Sequence, residues 1–583
     1  MPRPSIVLRA VALGATLVLA LAVPASGSNG DTRVSSGSPT SPFSQNKQNE
    51  PAVAIDANHP NIVAAGANDN IDLEACKAGD PTTCPFTDGV GVSGIYFSFD
   101  SGHSWTQPTY TGWTARDCLG PAPCTPHVGP IGTLPKYYEN GLASDGDPAL
   151  AFGPRPDSTG HFSWANGSRL YYANLAANFS TLRSEAAFKG FEAVAVSRTD
   201  NVAAAAAGDA NAWRAPVIVT RQNAALFSDK EQIWADNAAT SRFFGRVYVC
   251  AAAYRSQEKG RALPVPITVS ISANGGDTWR TRQITSAATN LQRGSRTGCT
   301  IRTDSHGVVY VFLAHFQFGF PGTGSHEMIK SFDGGLTWTR PKTLYSMNDA
   351  CYNFDPVLGR CVEDGIAGAR NDLTASPSVD IANGAPTGAD ATNEIVDAWA
   401  DGRPSLNHES VMLSYSTNGG RTWASPSMIQ TPGDRGYYAA PALSPNGTDL
   451  YVVYNAYLTP YQTTTSNPRL LVGVVKHADI GAGGTPGAWT TLHRSPPGDA
   501  RGSSQNNLLG EFLGDYVYAT ATRTYGAAVW NDTRNAADCP AMDAWRLSLR
   551  TGTSVPKPAV QADCPATFGN SDIFGGSYAD PTP

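Results

Sequence analysis

Carboxyl, phenol and guanidinium groups recur at matching places along the chain. Short approach segments carry Glu50, Asp147, Asp229 and the pair Asp515-Tyr516, with Glu511 close before the last. Five further segments, each at the end of an alternating apolar run, carry Asn68-Asp69, Arg255, His315, Trp399-Ala-Asp401-Gly-Arg403 and Trp530-Asn-Asp532-Thr-Arg534. Buried carboxyls can lend or accept a proton, and a deprotonated phenol or carboxylate can attack an electrophilic carbon. The guanidinium forks of Arg255, Arg403 and Arg534 match a carboxylate in two-point fashion. W-x-D-x-R occurring twice also fits scaffolding that recurs because the repeat recurs, and His315, set in Ala314-His315-Phe316, fits a packed rim residue.

Bringing groups from positions 50 to 534 together requires a closed, repetitive fold. Seven copies of one loose unit are legible: a polar or Pro-containing approach, an alternating strand, a turn, and a second strand of aromatic and β-branched residues. They start near Glu50, Asp147, Asp229, Thr297, Ser376, Ala440 and Gly514, about every 77 residues, the length of a four-stranded propeller blade with long loops. This predicts an all-β chain forming a single propeller of seven four-stranded blades, with six as the alternative, in place of the three or four domains that 583 residues would suggest. Residues 1–25 read as a signal peptide, 26–48 as an N-terminal lead-in able to supply a closing strand, and 49–583 as the propeller; the tail Ser571-Asp-Ile-Phe574 is the other candidate for closure. In a propeller the approach segments surround one mouth of the central channel.

A second motif is sharper. Ser98-Phe-Asp100-Ser-Gly102-His-Ser104-Trp105 returns as Ser272 to Trp279, Ser331 to Trp338 and Ser416 to Trp423, with starts 174, 59 and 85 residues apart, so one blade between Ser98 and Ser272 lacks it. The pattern S-x-[DN]-x-G-x-[ST]-W builds a tight turn: the Asp or Asn side chain folds onto backbone N–H groups, Gly takes a positive φ, and Trp packs beneath. It is the Asp box, and through it the chain resembles the sialidase or neuraminidase superfamily. The resemblance implies that the boxes join third to fourth strands on the face away from the chemistry.

The resemblance also implies glycoside hydrolysis, with Tyr516 as nucleophile, Glu511 accepting its proton, Asp147 or Glu50 as acid, Asp515 beside them, and the substrate held by Arg255, Arg403 and Arg534 with Asp401 and Asp532. The superfamily's early Arg stands in an R-I-P context, which is missing here: between the expected cleavage point and Ser98 the only Lys or Arg residues are Arg33, Lys47 and Lys77. A glycan-binding propeller without turnover is the alternative reading. A polysaccharide lyase using His315 and Tyr516 is the third.

Composition narrows the setting. Arg3 and Arg9 precede an apolar run from Ala10 to Val23, followed by Pro24-Ala25, which reads as a cleaved export signal with the mature chain starting near Ser26. Losing Arg3 and Arg9 leaves 40 basic against 49 acidic residues, which disfavours nucleic acid as a partner. The expected partner is a glycan, met by a secreted monomer free of the membrane. Ten cysteines in an exported chain suggest disulfides, with Cys76–Cys84, Cys118–Cys124, Cys351–Cys361, Cys250–Cys299 and Cys539–Cys564 as the trial pairing. No zinc-ligand spacing or EF-hand occurs, so no metal and no cofactor is expected. Four sequons begin at Asn166, Asn178, Asn446 and Asn531, and the run Ala203 to Ala207 reads as a strand or loop.

Overall fold

The computed structural model describes residues 30–37, 47–255, 265–287, 295–316, 323–350, 353–363, 367–403, 408–460, 462 and 464–582. The export signal and Cys351 therefore lie outside the described residues. Seven antiparallel sheets form a seven-bladed propeller. The innermost strands are Gln48–Ile55, Ala149–Pro156, Phe227–Ala235, Ser295–Thr303, Ser378–Ile381, Arg435–Leu443 and Tyr518–Ala521, defining blades I to VII in chain order. Each matches one repeat unit read in the sequence. Residues from all seven line one apolar chamber on the axis, from Val53 in blade I to Ala519 in blade VII.

Both chain ends close the ring. Blade VII runs Tyr518–Ala521, Tyr525–Asp532, Asp572–Ala579 and finally Thr32–Arg33, so the tail supplies the third strand and the N-terminal segment the fourth. Thr32 pairs with Gly575 and Arg33 with Phe574, removing the free edge that an open ring would expose.

The Asp boxes follow the third strands of blades I, III, IV and V; blade II has none. In the first, Asp100 accepts from the Ser104 N–H at 2.9 Å and the Ser104 hydroxyl at 2.6 Å, Gly102 N–H donates to Ser98 Oγ at 2.8 Å, and the Trp105 indole donates to Gly102 O at 3.1 Å. The glycine is required by its backbone. Gly335 in the third box has φ +91°, and an added Cβ would stand 2.4 Å from Ile271 Cδ1 of blade III. Gly335→Ala is expected to destabilise the fold by about 1–3 kcal/mol, read as a lower urea midpoint with an unchanged slope.

Several local readings are corrected. Val202–Ala206 is a short helix, not a strand or loop, because Asn201 caps it by accepting from Ala204 N–H. Asn531 is buried and braces two loops, so it is no surface sequon. Cys76–Cys84, Cys250–Cys299 and Cys539–Cys564 are disulfides, and Cys361 is bonded. Cys118 and Cys124 are free thiols, contrary to the trial pairing; burial, then the neighbouring Cys118, pushes the Cys124 thiol up to about 12. Among the described residues no helix is long and apolar enough to cross a membrane.

Candidate functional site

Several inner strands begin with a kinked backbone. Bulges interrupt the pairing between Asn49 and Ala52 in blade I, Asp229 and Gln232 in blade III, and Thr297 and Thr300 in blade IV. A bulge of this kind holds one residue in the left-handed region, where glycine is at ease. Blade IV uses Gly298, φ +59°, but blade I places Glu50 there at +56° and blade III places Lys230 at +59°; Asp147, just ahead of the blade II strand, sits at +51°. A side chain in that conformation costs about 1–2 kcal/mol. Three charged residues therefore occupy strained positions where glycine would fold more easily, the pattern expected where geometry serves a site.

The strained residues meet. Carboxylate oxygens of Glu50, Asp147 and Asp515, from blades I, II and VII, lie within 4.8 Å of one another. Two cations stand among them. Lys230 Nζ is 2.5 Å from Asp515 Oδ2, 3.5 Å from Asp147 and 3.6 Å from Asp229, while Arg370, on the approach to blade V, reaches Asp515 at 3.1 Å and Glu50 at 3.5 Å. Arg370 is backed by the Phe512 ring 4.2 Å away, and its carbonyl accepts from Tyr437 Oη at 2.7 Å. Asn68 donates to Glu50 Oε2 at 2.6 Å and accepts from Asp147 N–H at 2.7 Å; Asn531 accepts from Glu50 N–H at 3.0 Å and donates to Tyr516 O at 3.1 Å. With Lys230 and Arg370 already among the three carboxyls, the donor set suits ion pairing better than a metal ion.

The cluster opens into a chamber on the axis lined by Asp147, Lys230, Glu231, Ser376, Asp515 and Tyr516. Several buried polar atoms there lack a hydrogen-bond partner among the described residues: both oxygens of Glu231, Asp515 Oδ1, Thr374 Oγ1 and Ser376 Oγ. Such atoms are costly unless water or a ligand meets them. Tyr516 Oη donates to Pro148 O at 3.2 Å across the chamber wall.

Electrostatics divides the carboxyls into two kinds. Burial first, then Asp147 and Asp229, pushes Glu231 well above the ordinary carboxylate range, and burial followed by Asp147 and Asp515 does the same to Glu50. Burial acts on Asp515 in the same direction, but Arg370 and Lys230 overcome it and hold that carboxyl well below the ordinary range. Lys230 and Arg370 stay charged because their carboxylate neighbours outweigh desolvation. The Tyr516 phenol is raised by burial, then by Asp147, Glu50 and Glu231. Proton-bearing acids and a permanent carboxylate thus share one chamber, the division of labour that acid–base catalysis needs.

The sequence-predicted residues fall into two groups. Glu50, Asp147, Asp229, Asp515 and Tyr516 come together. Glu511 is buried nearby in sequence, yet its carboxylate faces Arg469 at 3.6 Å. Asp401 accepts from the Trp399 indole and from Arg403 N–H, and Asp532 accepts from the Trp530 indole and Arg534 N–H, so each W-x-D-x-R closes on itself. Arg534 also pairs with Asp31 beside the outermost strand at 2.5 Å, Arg403 bonds Ser346 O, Arg255 is exposed, and His315 is 3.0 Å from Glu327. Sequence reasoning missed Lys230, Glu231 and Arg370. The signal was Asp229-Lys230-Glu231 itself: three successive titratable groups on an innermost strand can be buried only by pairing, as Lys230 is, or by giving up the charge, as Glu231 does.

No family model matches the chain, and no curated protein matches it. Among solved structures it is similar to a leech intramolecular trans-sialidase, at 11% identity over 72% of this chain and 67% of the other, TM-score 0.39. It is similar to the intramolecular trans-sialidase of Ruminococcus gnavus at 12% identity over 71% and 90%, TM-score 0.37, and to a Dyadobacter fermentans protein of unknown function at 11% over 75% and 99%, TM-score 0.37. These likenesses concern the fold and assign no residue.

Proposed function

We propose that the protein is a secreted glycoside hydrolase of sialidase-like type, acting on exposed sugars of extracellular glycans, acidic ones included, at the axial chamber. The observation that carries this is the convergence of Glu50, Asp147 and Asp515 from three blades, with oxygens within 4.8 Å, beside Tyr516 and the cations Lys230 and Arg370. In this reading Glu231, neutral and without a partner among the described residues, protonates the leaving oxygen. Tyr516 attacks the anomeric carbon and gives its proton to Asp147, the first of its charged neighbours; water, deprotonated by the Glu231 carboxylate left behind, then displaces Tyr516 from the sugar as Asp147 returns the proton. Asp515, clamped by Lys230 and Arg370, faces the positive charge that develops on the sugar ring. The substrate carboxylate, where there is one, is drawn to Lys230 and Arg370, while Glu511 serves the framework through Arg469.

One observation favours a binding propeller instead: Lys230 and Arg370 already neutralise much of the acidic cluster, as an inert hub would require. Product mass separates the readings. Hydrolysis adds water to the released sugar, a lyase leaves an unsaturated one, and a binder leaves the glycan whole.

A further inference from the structure

A second cluster lies at the other end of the propeller walls, where blade VI meets the closing strand of blade VII. Strands Asp449–Tyr457 and Leu470–Asp479 of blade VI pair so that Asp449 stands opposite Asp479 and Tyr451 opposite His477. Residues two apart on a strand share a face, so these four side chains project together. That face meets blade VII, since a Cβ at Gly526 would touch the Tyr451 ring. Asp580, immediately after the Asp572–Ala579 strand, completes the group.

We infer that Asp449, His477, Asp479 and Asp580 form a binding site for one divalent transition-metal ion of the zinc class, a clasp that fastens the ring-closing strand to blade VI. His477 Nε2 is 3.2 Å from Asp449 Oδ1 and 3.9 Å from both Asp479 Oδ1 and Asp580 Oδ1. A tetrahedron of zinc bonds of roughly 2.0–2.1 Å has edges of about 3.3 Å, so modest side-chain motion brings all four donors to bonding distance. Asp479, 59% exposed, has room to make that adjustment. One imidazole among carboxylates selects a transition metal over calcium or magnesium, which prefer oxygen alone.

An independent observation points the same way. Tyr451 Oη is buried, makes no hydrogen bond to any described residue, and its ring lies 4.9 Å from that of His477. Tyr451 stands opposite His477 and two residues from Asp449, so its unpartnered hydroxyl belongs to the face that carries the cluster.

The test titrates Zn2+ alone into chelator-stripped protein by calorimetry, in a Cys118→Ser/Cys124→Ser background so that free thiols do not compete. The expected result is one ion per chain, a rise in melting temperature on loading, and zinc-edge absorption showing one nitrogen and several oxygen neighbours. Asp479→Asn, at the exposed end of the cluster, should weaken binding at least tenfold while leaving the melting temperature of stripped protein unchanged, and Asp580→Asn should weaken it as much. No saturable Zn2+ uptake, uptake unaffected by the Asp479→Asn/Asp580→Asn pair, or saturation by Ca2+ in place of Zn2+ would overturn the assignment.

Discussion

Lys230→Met is expected to lower the free energy of unfolding by about 3–5 kcal/mol at pH 7, the cost typical of stripping one partner from a buried ion pair. Lys230 is the only side chain whose charge touches Asp147, Asp229 and Asp515 together among the described ion pairs. Without it Arg370 alone must offset those carboxylates, from a position that reaches only Asp515 of the three. The double variant Lys230→Met/Asp515→Asn removes a charge of each sign and should recover more than half of the loss, the coupling expected of neighbours in one network. Urea denaturation of the four proteins of this cycle measures it. A single-variant loss below about 1 kcal/mol, the value of an exposed pair, would show that the cluster is screened by water despite its burial.

Glu231→Gln is expected to lower kcat by about 10²–10⁴-fold, the usual worth of a positioned general acid, while leaving the protein folded. Glutamine keeps the shape and removes the transferable proton. Because the folded-state pKa of Glu231 is raised, the parent should be active below that value and lose activity as pH rises through it; the residual rate of the variant should lack this alkaline limb. Stability follows the same sign. A carboxyl whose folded pKa exceeds its unfolded value favours the fold most below the unfolded pKa, and that contribution falls as pH climbs through the folded one. Glutamine has no such dependence, so Glu231→Gln should gain stability relative to the parent toward alkaline pH. Rate measured against pH, with urea midpoints on the same samples, checks both limbs.

The architecture was legible because it repeats. Seven spaced units and four Asp boxes gave the blades and the missing box of blade II, and the two terminal segments, read as alternatives for closure, both supply strands of blade VII. The site was half legible. Glu50, Asp147, Asp515 and Tyr516 stand at the starts of units, so counting repeats found them. Lys230, Glu231 and Arg370 were hidden by bulges that shift the alternation of an inner strand, and by an approach segment in blade V that starts several residues before the apolar pattern does. Arg403 and Arg534 attracted notice for the opposite reason. Each closes a repeated W-x-D-x-R turn around its own aspartate, and a regular pattern makes scaffold conspicuous. The cluster around His477 carries no linear motif, since its ligands are spread from 449 to 580 and meet only through ring closure.

Glycoside hydrolysis at the axial chamber is measured most directly by incubating purified protein, and its Tyr516→Phe variant, with sialylated, uronic and neutral glycans while products are identified by mass. The parent is expected to release a monosaccharide carrying one added water, and Tyr516→Phe, with the same melting temperature, at least a hundredfold less. A folded parent that binds a glycan and leaves every member of the panel whole would contradict it and make the axial chamber a recognition site.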